Sequence, residues 1–225
     1  MEIIGFEKNS LLDFPKNIAS VIFTPGCNMN CWYCHNREIL NEEKGGYSEE
    51  AILNFVKERK DFLDGVVITG GEPTLQSDLI SFMEKLKAIP TKIKLDTNGT
   101  NPEILKVIYE KKLVDFVAMD LKAPFEKYNI ITPIKDIEKI KESVNLIKNS
   151  GIEYEFRTTF APNLSKEDIV LLIEQVAPIN RYALQLYKTP PFIAKDNSQN
   201  HEKSEFEFVK EETQHLIKEF VIRGF

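Results

Sequence analysis

The sequence predicts an α/β fold, a partial (β/α)6 TIM-like barrel with parallel strands. Three observations lead there. Six strand-length runs of apolar and β-branched residues alternate with helical patterns, the signature of parallel βαβ units. The chain has 225 residues and spends its first seventeen on a lead-in, whereas a full eight-unit barrel takes about 250. No internal repeat and no Gly- or Ser-rich linker divides it, so residues 1–225 read as a single domain. A doubly wound sheet is the alternative with the same alternation.

The first expected strand is "IASVIF" at 18–23, and the helix "YSEEAILNFVKERK" follows with Ser48 as N-cap and acidic residues in its first turn. "GVVIT" at 65–69 leads to the helix "LQSDLISFMEKLK", and "KIKLD" at 92–96 leads to "NPEILKVIYEKK", with Pro102 at its first position. "VDFVAM" at 114–119 precedes "IKDIEKIKESVNLIKNSG", which has helical apolar spacing and ends on Gly151 as a C-cap. "IEYEFRTT" at 152–159 precedes "SKEDIVLLIEQV", capped by Ser165, and "RYALQLY" at 181–187 is the sixth strand. A surface loop is expected over 188–204 and a closing helix over 204–222, with Phe206, Phe208, Val209, Leu216, Ile217 and Phe220 as its packed stripe.

Composition narrows the function. A net charge of -6 gives a field that repels a phosphate backbone, so nucleic acid is not an expected partner. The N-terminal stretch lacks a basic start followed by an apolar run, and no apolar segment reaches membrane-spanning length. A cytoplasmic protein without a membrane partner is therefore expected. All three cysteines, Cys27, Cys31 and Cys34, crowd into "CNMNCWYCHN", which argues for reduced thiols that bind or react rather than for a disulfide framework.

Ligand sites in parallel α/β folds lie at the carboxyl ends of the strands. After the first strand comes "TPGCNMNCWYCHN", and after the second "GGEP" (Gly70 to Pro73). The third runs into "DTNG" (Asp96 to Gly99), and the fourth ends in "MDLK" (Met119 to Lys122). The fifth carries Arg157, Thr158 and Thr159, and the sixth ends near Gln185 and Tyr187. A structural zinc site wants four ligands, and His35, adjacent to Cys34, is poorly placed to be the fourth. A 4Fe–4S cluster takes four thiolates, and three would leave one iron open for a ligand. Zinc and a lone reactive thiol remain the alternatives on these residues. His201 and His215 lie in polar segments and receive no role.

C-x3-C-x2-C with an aromatic before the last cysteine resembles the signature of the radical S-adenosylmethionine (SAM) superfamily. That resemblance implies that Cys27, Cys31 and Cys34 hold a 4Fe–4S cluster whose fourth iron is chelated by SAM. "GGEP" is similar to the family's glycine-rich stretch that receives the SAM amino group, and it implicates Gly70, Gly71 and Glu72. "CHNRE" (Cys34 to Glu38), "DTNG" and "DLK" resemble the activating enzymes of glycyl radical proteins. The lead-in "GFEKNSLLDFPKNIASVIFTPGCNMNC" is most similar to the type that activates anaerobic ribonucleotide reductase.

By the same resemblance, Tyr33 contacts the adenine region, and His35 and Asn36 lie beside cluster or SAM. Asn98 and Lys122 join the SAM-binding stretches, and Arg157 pairs with the SAM carboxylate. Asp96, Thr97 and Asp120 would hold a monovalent cation, with the Ala118 carbonyl beside them. In place of an expected adenine-side histidine the chain has Gln185 or Tyr187. Residues 35–65 lack the cysteines of an inserted ferredoxin-like domain. The implied partners are a glycyl radical protein and a low-potential electron donor of flavodoxin or ferredoxin type, under anaerobic conditions. A radical SAM enzyme acting on a small molecule, similar to deazaguanine synthases, and a non-catalytic iron–sulfur electron carrier are the other readings.

Overall fold

The computed structural model describes residues 1–37, 46–190, 192–193 and 200–225. Glu38 lies outside the described residues, as do residues 191 and 194–199 of the expected surface loop. The described chain forms two compact units. One comprises Met1–Asn28, Asn36–Ala118 and Lys139–Glu153; the other comprises Met29–His35, Met119–Glu138 and Tyr154–Phe225.

In the first unit, β1 (Gly5–Ser10) pairs antiparallel with β2 (Ala19–Thr24). The parallel strands β3 (Gly65–Gly70) and β4 (Lys92–Thr97) continue the ladder. The lead-in thus supplies a strand that the sequence did not predict. Helices α1 (Glu49–Glu58), α2 (Leu79–Lys87) and α3 (Pro102–Glu110) provide the crossovers. Ser48 caps α1 as expected, its side chain accepting from the Ala51 N–H, and Pro102 opens α3. β2 and β3 are apolar on both faces because both are covered. One face packs Ala19, Val21 and Val67 against Phe14, Phe116 and Ala118. Fully burying a side chain such as Val67 is worth about 1.5–3 kcal/mol. Gly65 is needed there, since a Cβ would stand 2.8 Å from the Phe14 ring.

β5 (Phe116–Asp120) begins in the first unit and ends in the second, and α5 (Ile137–Asn149) lies mostly in the first. Gly151 follows α5 with φ +74°, the left-handed conformation of a helix stop.

In the second unit, β6 (Glu153–Phe160), β7 (Ile179–Leu186) and β8 (Ile217–Arg223) form a parallel ladder. The short α4 (Tyr128–Ile131), α6 (Lys166–Val176) and α7 (Lys203–Thr213) complete it. Ser165 and Asp168 cap α6 reciprocally, at 3.2 and 3.1 Å. The helix expected over 204–222 is corrected: it ends at Thr213, whose hydroxyl donates to the Val209 carbonyl at 2.7 Å. From Ile217 the chain is β8, paired along β7 from Ile179 to Gln185. The run Phe220-Val221-Ile222 is aromatic and β-branched, which suits a half-buried strand, and the ladder with β7 overrides the helical spacing upstream. Among the described residues no helix is long and apolar enough to cross a membrane.

Candidate active site

In the first unit the ends of β2, β3 and β4 are laced together by hydrogen bonds. Gly70 adopts φ +115°, and a Cβ on it would stand 2.3 Å from the Thr24 backbone nitrogen, so only glycine fits. The Gly71 N–H donates to the Thr24 carbonyl at 2.9 Å, and the Glu72 N–H to the Gly26 carbonyl at 2.8 Å. Gln76 donates to the Pro25 carbonyl at 3.0 Å, and Asn36 to the Gly70 carbonyl at 3.0 Å. The "GGEP" turn therefore braces the segment that leads into Cys27.

Glu72 is wholly buried. Its carboxylate accepts from the Thr74 N–H and hydroxyl at 3.1 and 2.5 Å, and from the Thr97 hydroxyl at 2.8 Å. It also accepts from the Asn98 N–H at 2.6 Å. Burial raises its pKa against the opposing pull of these donors. Glu72 thus ties the loop after β3 to the loop after β4. Asn98 in turn donates through its amide to Asn28 at 2.9 Å and toward the Cys27 sulfur at 3.7 Å. Asp96 is ion-paired with Lys94 on the same strand. Sequence reasoning missed Lys94, Thr74, Asn28 and Asn101, the last of which donates to the Thr74 hydroxyl at 2.9 Å. Their only signal is that they are polar residues in, or next to, the motif stretches.

In the second unit the segment carrying Cys31 and Cys34 turns tightly, with the Cys34 N–H donating to the Cys31 carbonyl at 3.1 Å. The Trp32 N–H reaches the Ile131 carbonyl at 3.4 Å and the Asn30 N–H the Thr132 hydroxyl at 3.1 Å, so the end of α4 holds the segment. None of the three cysteines is in a disulfide. Tyr33 is buried against the rings of Trp32 and Tyr187, at centroid distances of 5.3 and 6.4 Å, and those two rings also touch at 5.5 Å. Burial pushes its phenol pKa up. His35 Nε2 pairs with the Lys188 carbonyl at 2.9 Å.

Asp120, at the end of β5, accepts from the Arg157 guanidinium and, at 3.1 Å, from Lys122. Burial alone would raise the carboxyl pKa, but the charges of Arg157 and Lys122 hold it well below the usual carboxylate range. The Lys122 pKa lies well above its ordinary value: Asp120, foremost among its neighbours, outweighs the lowering that burial causes. Gln185 accepts weakly from Arg223 at 3.4 Å. Arg157, expected at a SAM carboxylate, has the carboxylate of Asp120 as a partner here.

The donor types, though not a gathered ligand set, match a thiolate-bound cluster. Three thiols supply the donor chemistry, and among the described residues the buried Tyr33 hydroxyl and Trp32 indole N–H have no hydrogen-bond partner, so a polar ligand would find two groups ready. Among the described residues no three His, Cys, Asp or Glu side chains stand close enough together to hold a metal ion. The cluster assignment therefore rests on thiol spacing and on kinship.

Residues 21–176 match the model of the Radical SAM superfamily. The chain belongs to the radical SAM superfamily. It is thus a radical SAM enzyme, and the family implies SAM and an iron–sulfur cluster as its cofactors. A protein from Methanocaldococcus jannaschii named as a glycyl-radical enzyme activating enzyme is 40% identical over 83% of this chain and 80% of its own length. A Methanococcus maripaludis protein named as a GTP 3′,8-cyclase is 38% identical over 57% of this chain and 44% of its own. Among solved structures, SuiB from Streptococcus suis aligns with TM-score 0.72 at 18% identity, over 91% of this chain and 49% of SuiB. anSMEcpe with bound AdoMet aligns with TM-score 0.65 at 20% identity, over 88% of this chain and 61% of its own. These likenesses establish the fold class the sequence predicted, α/β with parallel strands in the partial-barrel family.

Proposed function

We propose that this radical SAM enzyme activates a glycyl radical protein by removing a hydrogen atom from a backbone glycine of that partner, such as an anaerobic ribonucleotide reductase. One observation carries the reading: the relative named as a glycyl-radical enzyme activating enzyme matches 83% of the chain at 40% identity. The motifs "CHNRE", "DTNG" and "DLK" and the cysteine-free stretch 35–65 support the same branch. When bound, a 4Fe–4S cluster and SAM supply reductive cleavage of SAM to methionine and a 5′-deoxyadenosyl radical.

The chain's own residues have separate tasks in this reading. Cys27, Cys31 and Cys34 would hold the cluster as thiolates, and Asn98, whose amide N–H points at the Cys27 sulfur, would steady that charge. Gly70 and Gly71 allow a ligand's amino group close backbone approach. Asp120, Lys122 and Arg157 form a charged set suited to an amino acid's two ionic ends. Tyr33 would offer its hydroxyl to the ligand, and the family resemblance assigns His35, Asn36 and Gln185 to the surroundings of cluster or SAM. Residues 1–225 would act as one radical SAM unit, fed by a flavodoxin- or ferredoxin-type donor in an anaerobic cytoplasm.

A second reading, a small-molecule substrate, draws on the relatives named as GTP 3′,8-cyclases. Membership in an enzyme family leaves the non-catalytic electron carrier without support. The test is anaerobic reconstitution with iron and sulfide, followed by reduction and assay of SAM conversion to 5′-deoxyadenosine. Cleavage lost in Cys27→Ala, Cys31→Ala and Cys34→Ala, with a glycyl radical signal in an added glycyl radical protein, is expected. Cleavage with no radical on any such protein, but with turnover of a nucleotide, would move the assignment to the second reading.

A further inference from the structure

Lys94 is a buried charge that the proposed chemistry leaves unused. It lies in the middle of β4 and is only 2% exposed. The parallel register sets it beside Val67, which pairs with Val21. Register partners share a face, so the Lys94 side chain leaves the sheet on the side where Ala19, Val21, Val67, Phe116 and Ala118 pack. An ammonium against such a surface is costly unless it is paired. Lys94 Nζ forms an ion pair with Oδ1 of Asp96, two residues on and therefore on the same face.

Asp96 opens "DTNG", the stretch for which the family resemblance implies a monovalent cation. A cation beside a carboxylate contributes one positive charge to oxygen ligands, and the lysine ammonium already contributes that charge at Asp96. A second cation at the same carboxylate would meet like-charge repulsion across a poorly screened distance. The residues therefore do not fit the cation. They hold its substitute.

We propose that Lys94 is a built-in replacement for a monovalent cation: its ammonium balances Asp96 and sets the loop Asp96–Gly99 for SAM without sodium or potassium. This rests on the reading of that loop as part of the SAM site. Lys94 is a positioning residue, acting through Asp96 on the loop whose Thr97 and Asn98 are fastened to Glu72.

The test uses the reconstituted holoprotein with its cluster oxidised, so that SAM binds without turnover. SAM affinity is measured by equilibrium dialysis at constant ionic strength, with tetramethylammonium, sodium, potassium or methylammonium as the cation. Wild type is expected to bind equally in all four, within about twofold. Lys94→Ala is expected to bind about tenfold or more weakly in tetramethylammonium and to recover in potassium or methylammonium. A wild type that tightens about tenfold with sodium or potassium overturns the proposal. So does a Lys94→Ala deficit that no cation repairs, or no deficit at all. If Lys94→Ala fails to fold in every buffer, the wild-type comparison decides alone. Wild type that binds no SAM in any buffer instead sinks the underlying site assignment.

Discussion

Glu72 accepts the backbone N–H of Asn98 at 2.6 Å while the rest of its carboxylate is saturated by Thr74 and Thr97. A glutamine has the same shape but presents an N–H donor on one side. Whichever way the amide turns, a donor faces a donor inside a buried site. Glu72→Gln should therefore cost about 1–3 kcal/mol. The thermal midpoint should fall by about 2–4 °C for each kcal/mol in a chain of this size. An unchanged midpoint would show that the two loops are not tied through this carboxylate.

Gly70 is fixed by backbone rather than by a side chain. Its φ of +115° and a Cβ position 2.3 Å from the Thr24 nitrogen leave no soft neighbour to yield. Gly70→Ala should lose more than about 3 kcal/mol or fail to accumulate in soluble form. Among the described residues, its chain neighbours aside, none has a heavy atom within 4 Å of a Cβ placed on Gly46, and Gly46→Ala should stay within about 0.5 kcal/mol of wild type. Equal denaturant midpoints for the two variants would refute the steric account.

Glu155, on β6, is 1% exposed and accepts from Arg181 and Arg223, each at 2.8 Å. Those arginines sit on β7 and β8, so one carboxylate joins three strands. Glu155→Ala should cost about 2–4 kcal/mol, because it leaves two partly buried guanidinium groups short of a partner. Glu219 pairs with the same Arg181 but is 52% exposed, and Glu219→Ala should cost less than about 1 kcal/mol. Urea unfolding of both variants separates them; similar losses would mean that burial does not set the value of these pairs.

The six expected strands appear within a few residues of their sequence positions, because runs such as "GVVIT" and "KIKLD" are short, β-branched and bounded by turn or cap residues. β1 was hidden, since "GFEKNS" is too polar to read as a strand and exists by pairing along β2. β8 was misread because Phe206, Val209, Ile217 and Phe220 keep helical spacing, whereas the pairing with β7 that decides the matter is not local. At the site, Gly70 and Arg157 were legible as residue types suited to backbone approach and to carboxylate pairing. Glu72 was legible only as part of a motif, and its four donors could not be read from spacing. Lys94 looked like one more strand residue, since nothing in "KIKLD" tells which lysine the sheet will bury.

The charges around Asp120 make stability depend on pH, and the sign can be worked out. Its folded pKa is lowered, against the effect of burial, by Arg157 and Lys122. A carboxyl with a depressed pKa gives stability that is complete above its unfolded value of about 3.9 and is lost as pH falls toward the folded one. Lys122 has a raised pKa, so its contribution is complete below about 10.4 and is lost only as pH rises through the higher folded value. Between these limits the set should contribute a constant amount. Asp120→Asn removes the carboxylate and leaves Arg157 facing Lys122, for a loss of about 2–4 kcal/mol at neutral pH. The gap between wild type and Asp120→Asn, measured by denaturant unfolding from pH 3 to 9, should be flat above about pH 5 and shrink toward pH 3. A gap that stays constant down to pH 3 would mean that Asp120 keeps its charge in the unfolded chain as well, or that the paired charges do not stabilise the fold. Re-pairing offers the complementary check: Asp120→Asn combined with Lys122→Met removes the facing charge and should recover part of the loss at neutral pH.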